Sequence, residues 1–453
     1  MTDDHKASRW AWAVVGTTLA FLLLNFLVWT YNLNLLFVPY PNCGDLARMA
    51  FAPEMSQCRE LTRNLPRLLQ DPTLEATSSF EILSFGDSIS RGRGGGENNY
   101  WQDFVATHSG LKIAWVPEID DNNYTQDLVR LLNSGYFRAH GVRYLIVQAA
   151  ERTVVQRFTK PVNWDETMPL GQLETLFADR MAQLFLGQQY IDEWQTRRIL
   201  QTEPFSPLAA KALLTQLITM HSARIALDID STYRRLAKPY RSAHELDDAE
   251  PVINAITSIF AEDDAVSDLP KPAQRSFTAD GTRNQMPAAM NNNFKWLQRK
   301  ASHFLGTDRY LEGAQRWKLR APMFSGPHGD TLLFHLGDYK ANRRNREDDG
   351  ILKMHEHLNQ LADLLARDGI RLYFMPTPNK LTIYQDYLVE PIETKSTLFP
   401  RLRRLEGKRY TFIDTERVLS ELARNGEKDL FFIDDTHWSS KALPRIAELF
   451  DFD

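Results

Sequence analysis

The sequence predicts an α/β protein with a parallel sheet, carried behind one membrane-spanning helix and interrupted by a mainly helical insertion. Three observations predict it. Short apolar strands alternate with helical stretches near residues 80–150 and again after 330. The N-terminal stretch from Trp10 to Gly44 has no charged side chain. Between Glu166 and about Ala321 the apolar spacing is helical rather than alternating.

The chain has 453 residues, enough for one large domain with an insertion or for two domains. Its 43% hydrophobic and 25% charged residues describe a globular protein, and a net charge of −5 offers no electrostatic case for nucleic acid. "WAWAVVGTTLAFLLLNFLVWTY", Trp10 to Tyr31, exceeds the roughly 20 residues that span a bilayer. Lys6 and Arg9 in the leader favour a cytoplasmic N-terminus, and Trp29, Tyr31 and Tyr40 suit the far interface. A cleaved signal peptide is the competing reading. The apolar stretch is long for one, and no small-residue cleavage site follows it.

The expected organisation is a tail at 1–9, an anchor at 10–40 and a juxtamembrane stalk at 41–78. A first α/β part at 79–165 and a second at 322–453 flank the insertion at 166–321, whose acidic and proline-containing tract 263–293 reads as a surface loop. The only cysteines, Cys43 and Cys58, lie just beyond the anchor, where an oxidising compartment allows a disulfide contributing about 3 kcal/mol. Two free buried thiols are the alternative.

In the first α/β part "FEILSF" (80–85) is a strand running into Gly86-Asp87-Ser88. A helix follows around Tyr100–Thr107, then the strand "KIAWV", a helix around Thr125–Ser134 and the strand "RYLIVQA" from Arg143. In the second, "TLLFHL" (331–336) is a strand. Met354, Leu358, Leu361 and Leu365 mark a helix ended by Asp368-Gly369. "IRLYFMP" is a strand, and Asp414 N-caps a helix that stops at Asn425-Gly426. "DLFFID" reads as a strand, and "SKALPRIAELF" as a last helix broken or delayed by its proline.

The chemistry-bearing residues sit after two of these strands. A serine hydroxyl is a weak nucleophile until an imidazole takes its proton, and the imidazole works best with a carboxylate fixing its tautomer. Ser88 after the first strand and His437 in "FFIDDTHWSS" (431–440) supply the pair if both strands share one sheet; the alternative is two unrelated turns. Asp435 lies on the side of His437 if the backbone is extended, Asp434 if it turns as a helix, and Asp435 is preferred. "RGRGGGENN" lacks the G-x-G-x-x-G register of a nucleotide loop and fits close backbone approach to a substrate better. His335, His355 and His357 show no metal-ligand spacing, and neither a metal nor a cofactor is expected.

Gly86-Asp87-Ser88 after an N-terminal strand, with Asp434-x-x-His437 near the C-terminus, resembles the SGNH (GDSL-type) hydrolase superfamily. Asp435-Thr436-His437-Trp438 is similar to the signature of the branch around alginate O-acetyltransferases (AlgX- and AlgJ-like proteins). The segment Leu372–Leu388, with Lys380 and Tyr384, is similar to one found there too. The chain order of anchor, serine block and histidine block looks instead like that of the DltD-like membrane-anchored proteins of teichoic-acid D-alanylation. The resemblance covers Phe80–Arg152 and Thr331–Asp453.

It implies a three-layer SGNH-like domain, with Ser88, His437 and Asp435 (or Asp434) as catalytic residues. The Gly-x-Asn-Asp block of ordinary members is missing, since "RYLIVQ" ends in Ala149-Ala150-Glu151-Arg152. The N–H of Ser88, the glycine loop at Gly94, and Arg152 are the candidate oxyanion donors, although Glu151 and Arg152 read equally as an ion pair bracing the strand end. Lys380 is either a contact to an anionic or sugar substrate or a solvated cation. The implied activity is O-acetylation of a polysaccharide or cell-envelope glycan outside the cytoplasm, with a membrane-bound O-acyltransferase supplying the donor and other envelope-assembly proteins as partners. An esterase with the same triad and a non-catalytic glycan-binding protein are the rivals.

Overall fold

A computed structural model describes residues 3–36, 44–50, 52, 55, 65–67, 79–90, 100–119, 122–174, 176–177, 297–307, 313–347 and 349–452. Cys43, Cys58, Gly94, most of the expected insertion and the whole 263–293 loop lie outside them.

The first helix, α1 (Asp3–Leu36), contains a 20-residue apolar stretch, Ser8–Leu27, with mean hydropathy 1.7 and none of it buried. It is the one helix among the described residues long and apolar enough to cross a membrane, which makes it a candidate anchor or signal sequence. A short helix, α2 (Asp45–Ala50), follows.

The body is built on a five-stranded parallel sheet of β1 (Ile82–Phe85), β2 (Ile113–Val116), β3 (Tyr144–Ala150), β6 (Arg371–Thr377) and β7 (Thr411–Phe412), in the order β2-β1-β3-β6-β7. All four pairings are parallel; Phe85 lies opposite Val147, and Val147 opposite Phe374. Renumbered within the sheet this is 2-1-3-4-5, a doubly wound order in which the chain reverses its direction of travel beside the first strand. Ligand crevices form there, beyond the carboxyl ends of the strands.

The strand period of two sorts side chains onto two faces, each covered by helices. Ile82, Ile113, Ile146, Tyr373 and Met375 join one buried cluster with α3 (Trp101–Ser109), α11 (Thr415–Arg424) and α12 (Leu443–Ala447). Leu83, Phe85, Val116, Leu145, Val147 and Phe374 join the other, under α4 (Tyr124–Asn133), α6 (Val154–Phe158) and α8 (Gly350–Arg367). Further helices are α5 (Tyr136–His140), α7 (Leu336–Glu347), α9 (Lys380–Tyr384) and α10 (Leu398–Arg404), among others in the described residues. The three layers match the fold class read from the sequence.

Two assignments change. "TLLFHL" forms β5 (Thr331–His335), but it leaves the parallel sheet and pairs antiparallel with β4 (Ala314–Lys318), which lies in the range expected to be helical. "DLFFID" is not a sheet strand. Phe431 makes one isolated antiparallel bridge with Trp438, so the stretch folds back on itself as a loop. Pro444 gives α12 its late start, as its fixed φ suits a first turn.

Candidate active site

The serine turn is clamped before any chemistry begins. At Gly86, a Cβ would lie 2.5 Å from Ser90 Oγ and 2.7 Å from Gln148 Oε1, so the approach to β3 requires glycine. The Asp87 N–H and Ser90 Oγ both donate to Gln148 Oε1, at 3.2 and 2.8 Å, and Gln148 Nε2 donates to Thr377 Oγ1 at 3.0 Å on β6. Asp87 accepts from Ile89 N (3.1 Å), Ala150 N (2.8 Å) and the Arg157 guanidinium (2.7 Å). Burial alone would raise its carboxyl. Arg157 and the two N–H groups outweigh burial and hold it below the usual carboxylate range. Asp87 therefore stays anionic and braces the turn from β3 and α6, a role the sequence reading did not assign.

The histidine loop is organised around Lys380, the first residue of α9. Its ammonium is buried and donates to the carbonyls of Phe432 (2.7 Å), Ile433 (2.7 Å) and Asp435 (3.3 Å), with the Phe324 ring 4.8 Å away. Lys380 is thus neither a solvated cation nor a free substrate contact. It replaces ladder hydrogen bonds for three backbone carbonyls, which lets an apolar run turn back in the interior. The loop is closed by Phe432 N to His437 O (3.3 Å) and Ser439 N to Leu430 O (2.9 Å).

This loop presents His437 to the serine turn. His437 Nε2 lies 2.9 Å from Ser88 Oγ, and its Nδ1 lies 2.5 Å from Asp435 Oδ1, which also accepts the His437 N–H at 3.0 Å. With a carboxylate on Nδ1, that nitrogen carries the proton and Nε2 accepts from the serine hydroxyl, a tautomer assigned from the hydrogen-bond network. Asp435 and His437 are buried while Ser88 is half-exposed, as an acid–base pair shielded behind an accessible nucleophile requires. Asp434 points elsewhere: its Oδ2 accepts from Gly44 N (2.8 Å) and its carbonyl from Ala47 N (3.0 Å). Of the two aspartates it is Asp435 that the structure places beside His437, and the two meeting blocks are a strand end and a loop rather than two strands.

Glu151 and Arg152 do not pair with each other as an ion pair bracing the strand. Arg152 reaches Asp338 on α7 at 3.2 Å. Glu151, fully buried, accepts from Asn379 N (2.9 Å), Thr382 Oγ1 (2.6 Å) and the Ser396 hydroxyl. Burial pushes the Glu151 carboxyl from 4.5 up to about 7, the three donors pull it back, and nearby Asp338 adds to the rise. Burial raises Asp338 to about 6 despite Arg152.

A carboxyl whose folded pKa exceeds its unfolded value stabilises the fold fully below the unfolded pKa, and that contribution is lost as pH rises through the folded pKa. For Glu151 the window runs from 4.5 to about 7. Its contribution should fall across that window by roughly 3 kcal/mol. Thermal unfolding followed against pH should show a midpoint decline that flattens in Glu151→Gln; equal slopes in both proteins would remove Glu151 as the cause.

Among the described residues, Asp45, Asp435 and His437 carry potential metal-ligand atoms within 4.8 Å of one another. Asp435 Oδ1 is bonded to the imidazole, and the Asp45 oxygens are bonded to Thr436. Asp45 was not singled out in the sequence, and no local pattern links it to a residue 391 positions away.

The first strand of the doubly wound sheet thus ends in Gly-Asp-Ser, and an Asp-x-His loop closes on that serine. Residues 330–447 match the family model described as "SGNH hydrolase-like domain, acetyltransferase AlgX". That stretch, from just before β5 to α12, is SGNH-like in the AlgX manner and carries Lys380, Asp435 and His437, while Ser88 lies outside the match. No curated protein and no solved structure matches the chain.

Proposed function

We propose that the protein is a membrane-anchored, extracytoplasmic O-acyltransferase that places acetyl groups on a polysaccharide or cell-envelope glycan through an acyl-enzyme at Ser88. An AlgX-like domain fits acetyltransferase or esterase chemistry. The observation that carries the finer reading is the continuous hydrogen-bonded series Ser88 Oγ, His437 and Asp435.

Ser88 Oγ attacks the acetyl carbonyl of the donor while His437 Nε2 takes its proton, and Asp435 stabilises the imidazolium. The tetrahedral oxyanion is met first by the Ser88 N–H, which has no hydrogen-bond acceptor among the described residues. Collapse breaks the donor C–O bond and His437 returns the proton to the departing alkoxide. A sugar hydroxyl then gives its proton to His437 as its oxygen attacks the acetyl-serine carbonyl; the bond from the acetyl carbon to Ser88 Oγ breaks, His437 returns the proton to Oγ, and the acetylated sugar leaves. Gly94 and Arg152 remain the further proposed oxyanion donors; Arg152 would act from its pairing with Asp338. α1 is proposed as the anchor, and a membrane-bound O-acyltransferase as the donor's source, alongside other envelope-assembly proteins.

The test is intact-mass analysis of the full chain in detergent after exposure to a chromogenic acetyl ester. A gain of one acetyl group, absent in Ser88→Ala, is expected. Candidate glycans should then leave the reaction acetylated. Release of free acetate alone would replace the transferase by an esterase, and a folded protein that never acquires acetyl would end the acyl-enzyme reading.

A further inference from the structure

We propose that Asp45, on the segment that follows α1, is a positioning residue of the serine site: it orients the Asp435–Thr436–His437 loop from outside it. The proposal rests on the acyl-enzyme reading for its kinetic consequence, but its geometry is independent of that reading.

The contact is two-sided. Thr436, which stands between Asp435 and His437, donates its N–H to Asp45 Oδ1 (2.8 Å) and its hydroxyl to Asp45 Oδ2 (2.6 Å). In return the Asp45 N–H donates to Asp435 Oδ2 at 3.3 Å. Asp435 is thus held by His437 on one oxygen and by Asp45 on the other, which fixes the rotation of the carboxylate that fixes the imidazole. The neighbouring residues reinforce the seat. Gly44 packs so closely that a Cβ there would lie 2.2 Å from the Asp434 carbonyl oxygen, and it donates its N–H to Asp434 Oδ2. Leu46, Ala52 and Met55 are buried in the same cluster as Phe431, Ile433 and Trp438. Burial and then the adjacent Asp435 charge push the Asp45 carboxyl above the usual range, as expected for two carboxylates sharing one enclosed corner.

The arrangement has a spatial consequence. Eight residue steps separate Leu36, the end of α1, from Gly44, and an extended chain covers at most about 30 Å in that many. The residues that orient the site are therefore tethered within that reach of the end of α1.

The experiment compares full-length wild type, Asp45→Ala and Asp45→Asn in detergent micelles by two readouts. One is kcat and KM for a chromogenic acetyl ester per folded molecule; the other is the far-downfield proton resonance of the His437 Nδ1–H bonded to Asp435, assigned by its loss in His437→Ala. Asp45→Ala should lose kcat by up to about 100-fold with KM nearly unchanged, and should broaden or shift the resonance. Asp45→Asn keeps an oxygen for the Thr436 N–H and should recover most of the rate and the resonance. A purely structural residue would lower the unfolding temperature in both variants without moving either readout. Wild-type kcat and an unmoved resonance in Asp45→Ala would overturn the proposal, as would an Asp45→Asn that folds but is as impaired as alanine. If wild type shows no esterase activity at all, the acyl-enzyme reading fails, while the resonance still decides whether Asp45 orients the Asp435–His437 pair.

Discussion

Ser88→Ala should lower kcat/KM for acetyl-ester cleavage by about a millionfold, His437→Ala by a similar factor, and the double variant by no more than either alone. The reason is that the two side chains make one device. Ser88 Oγ sits 2.9 Å from His437 Nε2, so the hydroxyl gains nucleophilicity only while the imidazole is present, and the imidazole has no proton to take once the hydroxyl is gone. Neither substitution should unfold the protein. Ser88 is half-exposed and its turn is held by Asp87 and Gln148, while the loop around His437 is held by Lys380 through backbone carbonyls. Steady-state kinetics on the three variants, with circular dichroism to verify folding, checks this. Losses that multiply in the double variant would mean that the two groups act in separate steps, and a Ser88→Ala protein within about tenfold of wild type would move the nucleophile elsewhere.

Much of this site was legible because its pieces are local. The apolar runs before Gly86 and through Tyr144–Ala150 are strands buried on both faces, which a sequence announces as short continuous apolar runs bounded by turn residues. The Asp414 side chain does cap α11 by accepting from Arg417 N, and Gly426 takes the positive φ that ends it. What was not legible depends on contacts between distant residues. "DLFFID" has the composition of a strand, but its carbonyls find Lys380 in place of a neighbouring strand, and no pattern within the run announces that exchange. β5 was readable as a strand, whereas its partner β4 lay in a stretch whose surroundings read as helical. Glu151 looked like half of an ion pair because Arg152 is next to it, yet successive residues leave a strand end in different directions and found different partners. Asp45 carries no motif, and its meaning appears only when α2 lies against the histidine loop.

Asp435→Asn should cost about 10⁴-fold in kcat, while Asp434→Asn should leave the rate within a few-fold of wild type. The two aspartates are neighbours in sequence but do different work. Asp435 Oδ1 accepts from His437 Nδ1 at 2.5 Å, and an asparagine that turns its amide nitrogen toward the ring would favour the other tautomer, with the proton on Nε2 where Ser88 needs an acceptor. The fold would survive, since the amide differs from the carboxylate by one atom and leaves the Lys380 bonds to the loop carbonyls in place. Asp434, in contrast, ties the chain after α1 to the loop by accepting from Gly44 N. Asparagine retains that acceptor and loses only its charge, a stability change of about 1 kcal/mol. Measuring kcat and unfolding temperature for both variants separates the roles. A large rate loss in Asp434→Asn together with a mild one in Asp435→Asn would reverse the assignment and require the loop to rearrange before it reacts.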